Sequence, residues 1–400
     1  MENRLIVQKF GGTSVGSVER IQAVAEKIIA TKERGNQIVV VVSAMSGETN
    51  RLQSLANEVD CVPNARELDV LLSAGEQVSA SLLAMTLHKL GHKATSLAGW
   101  QAGIMTDDRH NQATIQSVDN SKLNALLADD QIVIVAGFQG INQHGDVTTL
   151  GRGGSDTSAV TLAGLLAADE CQIFTDVDGI YSCDPRVVDS AIKLDQIGFD
   201  DMRAMASNGA KVLHLPCVEF AAKHNLDIRV LSSFLPEPDS FQQGTFQQGT
   251  LVNQSSNKRA VCGLALQRSL HCINFIAAKA ELVIAQSQLL GIDVYWQEPS
   301  SIVVNDNDRC KLLQALNDEI SSIHPISALT VVGAELDELF STVQAQLLAE
   351  DIKVLDSFRC DRVVKLLLLP EHLDLAANFI HAHYIEQSHC ANKDKKALIL

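Results

Sequence analysis

Residues 37–42 read QIVVVV, an isoleucine followed by four consecutive valines. β-Branched residues hold their χ1 angles stiffly and favour the extended chain. A run of this kind has no polar face to turn to water, so the strand must be covered on both sides. Parallel sheets achieve this cover, with helices on both faces joined by right-handed crossovers. The neighbouring sequence supplies the parts. RLIVQKF (4–10) is a second apolar strand. Between the two, Val18, Ile21, Val24, Ala25, Ile28 and Ile29 fall at helical spacing, with Ser17 placed to cap the helix and Gly35 beyond its end. ELDVLLSAGEQVSASLLAMTLHKLG (67–91) reads as a helix ending at Gly91. QIVIVAGFQGI (131–141) reads as a strand, GRGGSDTSAVTLAGLLAA (151–168) as loop then helix, and CQIFTDVDGIY (171–181) as a strand. The expected class is α/β, with a parallel-rich central sheet between helices.

The character of the chain changes near residue 235. Residues 235–259, LPEPDSFQQGTFQQGTLVNQSSNKR, are rich in Pro, Gly, Gln, Asn and Ser and repeat FQQGT in tandem, as a linker or exposed loop does. Beyond them the elements are shorter. VCGLALQ, SIVVN, LTVVG and VVKLLLL read as strands, and AAKAELVIAQSQLLG, DRCKLLQAL, LDELFSTVQAQLLAE and LDLAANFIHAHYI as helices. The expected division is 1–235 for the large α/β domain, 236–259 for the linker, then two small α+β units at 260–325 and 326–400, with nesting of one in the other left open.

Charge and composition narrow the function. The net charge of −16 argues against a nucleic-acid or anionic-membrane partner, each of which needs a basic patch, but allows a small anionic ligand at a locally positive site. The N-terminus lacks a signal-peptide pattern, and no apolar run approaches the roughly 18 residues of a membrane span. Nine cysteines without a CxxC read as free thiols of a reducing compartment, so the expected location is the cytoplasm. His381 and His383 form an HxH without a partner cluster, and no protein metal site is expected.

Two glycine turns precede helix-like segments, Gly11-Gly12 and GRGGSDTSA (151–159). Glycine permits close backbone approach, and helix N-termini attract anions. Each turn carries a cation, Lys9 and Arg152. GxxxxGK[ST], HRD and DFG are absent, which excludes a P-loop enzyme and a protein kinase. Lys9 reads either as a compact charge for a transferring phosphoryl group or as a surface lysine at a strand end. Arg152 reads as a bidentate fork for a carboxylate or as a surface salt bridge. Glu76, on a mostly apolar helix, either pins an ammonium or lines the exposed face. Asp176, Asp178 and Asp184 can hold magnesium, a ribose or a lysine, or be turn residues.

KFGGTS, SAM with Thr49 four residues beyond Met45, LLSAGE, GRGGSDTSA, TDVDGIYSCDPR and GAKVLH occur here in the order found in aspartate kinases. The resemblance covers about residues 5–234. It implies the amino-acid kinase fold followed by two ACT units, and phosphorylation of the side-chain carboxylate of L-aspartate by MgATP, the first step towards lysine, threonine and methionine. ATP and Mg²⁺ are the implied cofactors, and a homodimer through the C-terminal region the implied assembly. By the same resemblance Lys9, with Gly11 and Gly12 beside it, faces the transferred phosphoryl group. Ser43 and Thr49 contact the substrate or that group. Glu76 positions substrate and the catalytic lysine, Arg152 clamps an aspartate carboxylate, and Asp156 organises Arg152. Thr175, Asp176, Asp178, Tyr181, Arg186 and Lys211 resemble nucleotide contacts. The alternatives are an acyl-phosphate-forming kinase for glutamate or N-acetylglutamate, or a catalytically silent amino-acid sensor. ACT units of this family usually carry a glycine in the loop where an effector docks. HCINFIAAKAELV (271–283) has none there, and VVGAELDELF (331–340) has only Gly333, so weak feedback control is expected.

Overall fold

The computed structural model describes residues 4–210, 212–235, 249–255 and 260–386. The chain divides into two compact units. The first comprises Met1–Ile180, Lys193–Arg203 and Lys211–Ser256; the second comprises Tyr181–Ile192, Ala204–Ala210 and Asn257–Leu400. Lys211 and most of the 236–259 segment, including the FQQGT repeats, lie outside the described residues.

The first unit begins β1 (Leu5–Phe10), α1 (Val18–Glu33), β2 (Gln37–Val42), α2 (Glu48–Val59), α3 (Ala65–Lys89), β3 (Ala94–Leu97), β4 (Ile104–Thr106), β5 (Ile115–Val118), α4 (Ser121–Ala128), β6 (Ile132–Ala136), β7 (Gln139–Ile141), β8 (Val147–Thr149), α5 (Gly154–Leu165) and β9 (Glu170–Thr175). β9, β1, β2, β6 and β3 are consecutive parallel neighbours in an eight-stranded sheet. Ile228–Ser232 extends it in parallel beyond β9. Thr250–Asn253 pairs antiparallel with that strand, so part of the expected linker is sheet. The valines of β2 are fully buried. On one face Phe10, Val40 and Ile134 pack with Ile21, Val24 and Ile28 of α1 and with Leu83 and Leu87 of α3. α5 lies against β1, β2 and β9. Each such side chain stabilises the fold by roughly 1.5–3 kcal/mol. Ser17 caps α1 by accepting from the Arg20 N–H at 3.2 Å.

Several elements depart from the sequence pattern. The run QIVIVAGFQGI is not one strand. Phe138 takes a left-handed φ of 71°, its N–H donates to Ser158 Oγ, and the chain leaves the large sheet at β6 to enter a four-stranded one at β7. CQIFTDVDGIY likewise breaks after Thr175. The helix α3 is long and apolar enough to cross a membrane by length and composition, contrary to the expectation from apolar runs; half of its most apolar window is buried.

In the second unit six antiparallel strands run in the order Trp296–Glu298, Ser301–Asn305, Gly263–Phe275, Ile320–Val332, Val363–Leu368 and Val354–Cys360. The two central strands have 13 residues each and serve two cores. Ile273, Val283, Ile302 and Leu312 form one. Leu264, Val331, Leu339, Val343, Leu366 and Ile380 form the other. The Ile320–Val332 strand therefore runs across the division expected at residue 325, and the first half of Gly263–Phe275 packs with the later core. A register shift between Gln267 and Leu270 separates the halves. Cys183 and Val188, from the Tyr181–Ile192 segment, are buried in the later core. Ser182 Oγ meets His381 Nε2 at 2.8 Å, and Asn378 Nδ2 donates to the Val187 carbonyl.

Candidate active site

Parallel strands place their carboxyl ends along one edge, where loops can bring distant residues together. β1 delivers Lys9 to this edge between Val41 of β2 and Ile173 of β9. The lysine is 8% exposed, and its Nζ lies 2.5 Å from Asp156 Oδ1. Asp156 is in the first turn of α5, where the helix dipole favours a negative charge. Lys9 is thus not a solvated strand-end lysine. It is a buried cation fixed by one carboxylate.

The Gly11-Gly12 turn follows. Gly11 N–H donates to the Phe174 carbonyl of β9, and Ser43 N–H to the Phe10 carbonyl. A Cβ on Gly12 would lie 2.9 Å from the Ala44 carbonyl oxygen, and one on Gly75 would lie 2.8 Å from Ala44 Cβ. Ala44 is therefore gripped from two sides by residues that only glycine can supply. Its N–H donates to Glu76 Oε1 at 3.1 Å. Glu76 does not line the exposed face of α3; it is 3% exposed and Oε2 has no hydrogen-bond partner among the described residues. Burial pushes its carboxyl up to about 7, against the opposing pull of the Ala44 N–H. Ser43, whose carbonyl accepts from Ser79 Oγ, and Thr49 in the first turn of α2 are half-buried beside this loop.

Arg152 stands on the turn that opens α5, between Gly151 (φ 72°) and Gly153 (φ 71°). A Cβ on Gly153 would lie 2.2 Å from the His214 ring. Arg152 is exposed and has no carboxylate partner among the described residues, unlike a surface salt bridge. Thr175 ends β9 and donates from Oγ1 to Asp176 Oδ1 at 3.1 Å. Asp178 pairs with Lys193 at 3.0 Å, one of the roles open to it from sequence. Tyr181 and Arg186 belong to the second unit, where Arg186 pairs with Asp184 at 2.7 Å. Lys211 lies outside the described residues. His381 is fully buried between Ser182 and Glu386, while His383 stacks on Phe379.

Sequence reasoning missed one group. Asp69 lies seven residues before Glu76 on the same face of α3 and is completely buried. Its carboxylate meets His110, Asn111 and Thr149. An acid at i−7 from Glu76 on an apolar helix was the available signal; its partners, some 40 residues and more away, gave none.

The amino acid kinase family model matches residues 4–232. An aspartate kinase of Pseudomonas putida is 52% identical over 268 residues, which are 66% of this chain and 63% of that protein. The chain thus spans less than two thirds of the length of this curated relative. An aspartokinase of Mycobacterium bovis is 45% identical over 74% of this chain and 72% of its own length. Among solved structures, Escherichia coli aspartokinase III in complex with aspartate and ADP superposes with a TM-score of 0.77 at 25% identity, over 96% of this chain and all of that one. The chain belongs to the amino acid kinase family, in its aspartokinase branch.

Proposed function

We propose that this protein transfers the γ-phosphoryl group of MgATP to the side-chain carboxylate of L-aspartate, giving 4-phospho-L-aspartate and ADP. The observation that carries the reading is the buried Lys9–Asp156 pair at the carboxyl edge of the sheet, joining β1 to the helix whose opening turn holds Arg152, which has no carboxylate partner among the described residues. Phosphoryl transfer needs alignment and fixed positive charge more than covalent help. Lys9 offers that charge with its geometry already set, so little reorganisation is required as charge develops. Arg152 suits a substrate carboxylate, which a planar fork holds by two hydrogen bonds. Glu76 suits the substrate ammonium, since an arriving cation returns a buried carboxyl to its ionised form. Ser43 and Thr49 stand as contacts to substrate or the moving group.

The residues at β1 fit a triphosphate. A Cβ on Gly11 would lie 3.5 Å from Lys9 Nζ, in ordinary contact, so the turn runs beside the ammonium that an anion would meet. Gly12, Thr175, Asp176, Asp178, Tyr181, Arg186 and Lys211 complete the assigned nucleotide contacts. Magnesium usually arrives on the phosphates with several waters, and here it would neutralise phosphate charge without a dedicated protein cage. The Escherichia coli complex with aspartate and ADP supports this pairing of substrates.

The same reading takes the first unit as catalytic and the two cores of the second unit, which share the long strands Gly263–Phe275 and Ile320–Val332, as ACT units nested in one another rather than divided at residue 325. It makes the protein a cytoplasmic homodimer joined through its C-terminal region, without nucleic-acid or membrane partners. A hydroxamate assay with aspartate, glutamate and N-acetylglutamate tests the activity. Product with aspartate alone is expected; product only with another acid, or none, overturns the proposal. Sedimentation at micromolar concentration is expected to give a dimer.

A further inference from the structure

The helix α3 carries two buried carboxylates on one face, Glu76 and, about 10 Å earlier along the axis, Asp69. Glu76 reaches the Ser43–Ala44 loop. Asp69 reaches elsewhere. Its Oδ1 accepts from Thr149 Oγ1 at 2.5 Å, and its two oxygens share the Asn111 N–H at 3.1 and 3.2 Å. Oδ2 meets His110 Nδ1 at 2.6 Å, where a ring carrying its proton on Nδ1 donates to the carboxylate. A fully buried carboxylate is tolerated only with such a complete set of partners.

These partners converge on the turn that bears Arg152. Thr149 is three residues before it, and the Thr149 carbonyl accepts from Ala113 N–H at 2.9 Å. Gly151 adjoins Arg152 directly, and a Cβ there would lie 3.1 Å from the Asn111 carbonyl oxygen. Asn111 itself holds a left-handed φ of 65°. The 110–113 segment therefore backs the turn, and Asp69 ties both that segment and Thr149 to α3. Arg152 is exposed and has no carboxylate among the described residues to set its direction, so its placement falls to the backbone beneath it.

We propose that Asp69 is a positioning residue for substrate recognition: through His110, Asn111 and Thr149 it fixes the Gly151–Arg152 turn at the height that Glu76 sets for the other end of the substrate. The inference rests on the assignment of Arg152 as the aspartate clamp. A small displacement of a clamp is enough to lose most of its value. Asp69→Asn keeps the shape but removes the charge and sets an amide N–H against the His110 ring, and Thr149→Val removes one hydrogen bond with the charge retained.

The test uses the full chain and two readouts. The first is steady-state kinetics. Asp69→Asn should raise KM for aspartate about tenfold, leave KM for ATP and kcat within about twofold, and be less than additive with Arg152→Lys. Thr149→Val should do the same more weakly. The second readout is native trypsin cleavage after Arg152, followed by mass spectrometry, which should accelerate in both variants relative to other sites. If cleavage and KM stay at wild-type values while Arg152→Lys raises KM, the positioning role is overturned and the clamp stands. If cleavage accelerates but neither Asp69→Asn nor Arg152→Lys moves KM for aspartate, the tether stands as a structural fact and the clamp, with the recognition role built on it, falls. Equal loss in every kinetic constant, with wild-type cleavage after Arg152, marks Asp69 as structural only and overturns the proposal.

Discussion

The two units use glycine for opposite ends. In the first, Gly12 brings the backbone up against Ala44, and charged side chains from β1, α3 and α5 gather around the turn. In the second, Gly333 also marks close approach, but the partner is the protein's own chain. A Cβ there would lie 2.0 Å from the Ala260 carbonyl oxygen, and that carbonyl accepts from Glu335 N–H. Lys279, in the turn that follows Gly263–Phe275, likewise meets the protein's own chain and pairs with Glu319 at 3.1 Å. A glycine turn becomes a binding site through the side chains that converge on it. Where only backbone converges, it is a packing device.

The largest expected effect breaks the first half of this comparison. Lys9→Ala should lower kcat by roughly 10²–10³, the scale for losing one preorganised donor of positive charge. Near-normal turnover would show that the first turn, too, is only packing. Glu76→Gln comes next and separates charge from shape. The Glu76 carboxyl is raised from 4.5 to about 7 by burial. A raised carboxyl contributes its stability below the unfolded value of 4.5 and loses it as pH rises through 7. The neutral amide escapes that loss, so in the ligand-free protein the variant should be more stable than wild type by about 3 kcal/mol at pH 8, and equal near pH 4.5. Denaturant unfolding at the two pH values measures this, and a difference that does not change with pH counts against the buried-charge account.

Gly333→Ala addresses the second half. Forcing a methyl group into a backbone contact should destabilise the second unit by about 1–3 kcal/mol, seen as a lower unfolding midpoint. Unchanged stability would mean that the loop is slack enough to admit a ligand. The smallest expected effect is that of lysine and threonine, alone or together. With the Gly333 loop filled from within, millimolar amounts should inhibit only slightly at subsaturating aspartate. A steep midpoint below about 1 mM, a binding free energy near −4.1 kcal/mol or stronger, would overturn the contrast between the two units.

What was legible in the sequence was local. The valine run of β2, the helical spacing of α1 with its Ser17 cap, and the glycine turns beside Lys9 and Arg152 all declare themselves within a dozen residues. Residues that act through distant partners were not legible. The reach from Asp69 to His110 and Thr149 joins a helix to a loop and to the end of the three-residue strand β8, and neither carries a period that could announce it. The strands β4, β5, β7 and β8 are three or four residues long, too short for alternation to show. The break at Phe138 hid because a phenylalanine in left-handed backbone gives no signal of its own. The division of the second unit was blurred because its two long strands feed both cores.

The Tyr181–Ile192 segment has a consequence in time. Ser182 and its partner His381 are 199 residues apart in the chain, and both are fully buried. At 5–20 residues per second a ribosome needs roughly 10–40 s to make that interval. For that period Cys183 and Val188 have emerged but the last members of their core, Leu373 to Ile385, have not. The nascent chain must carry an apolar segment in the open while the sheet on either side of it in sequence can already fold. Slow elongation, or a stalled message, would lengthen that exposure, and holdase chaperones would be needed during synthesis more than afterwards.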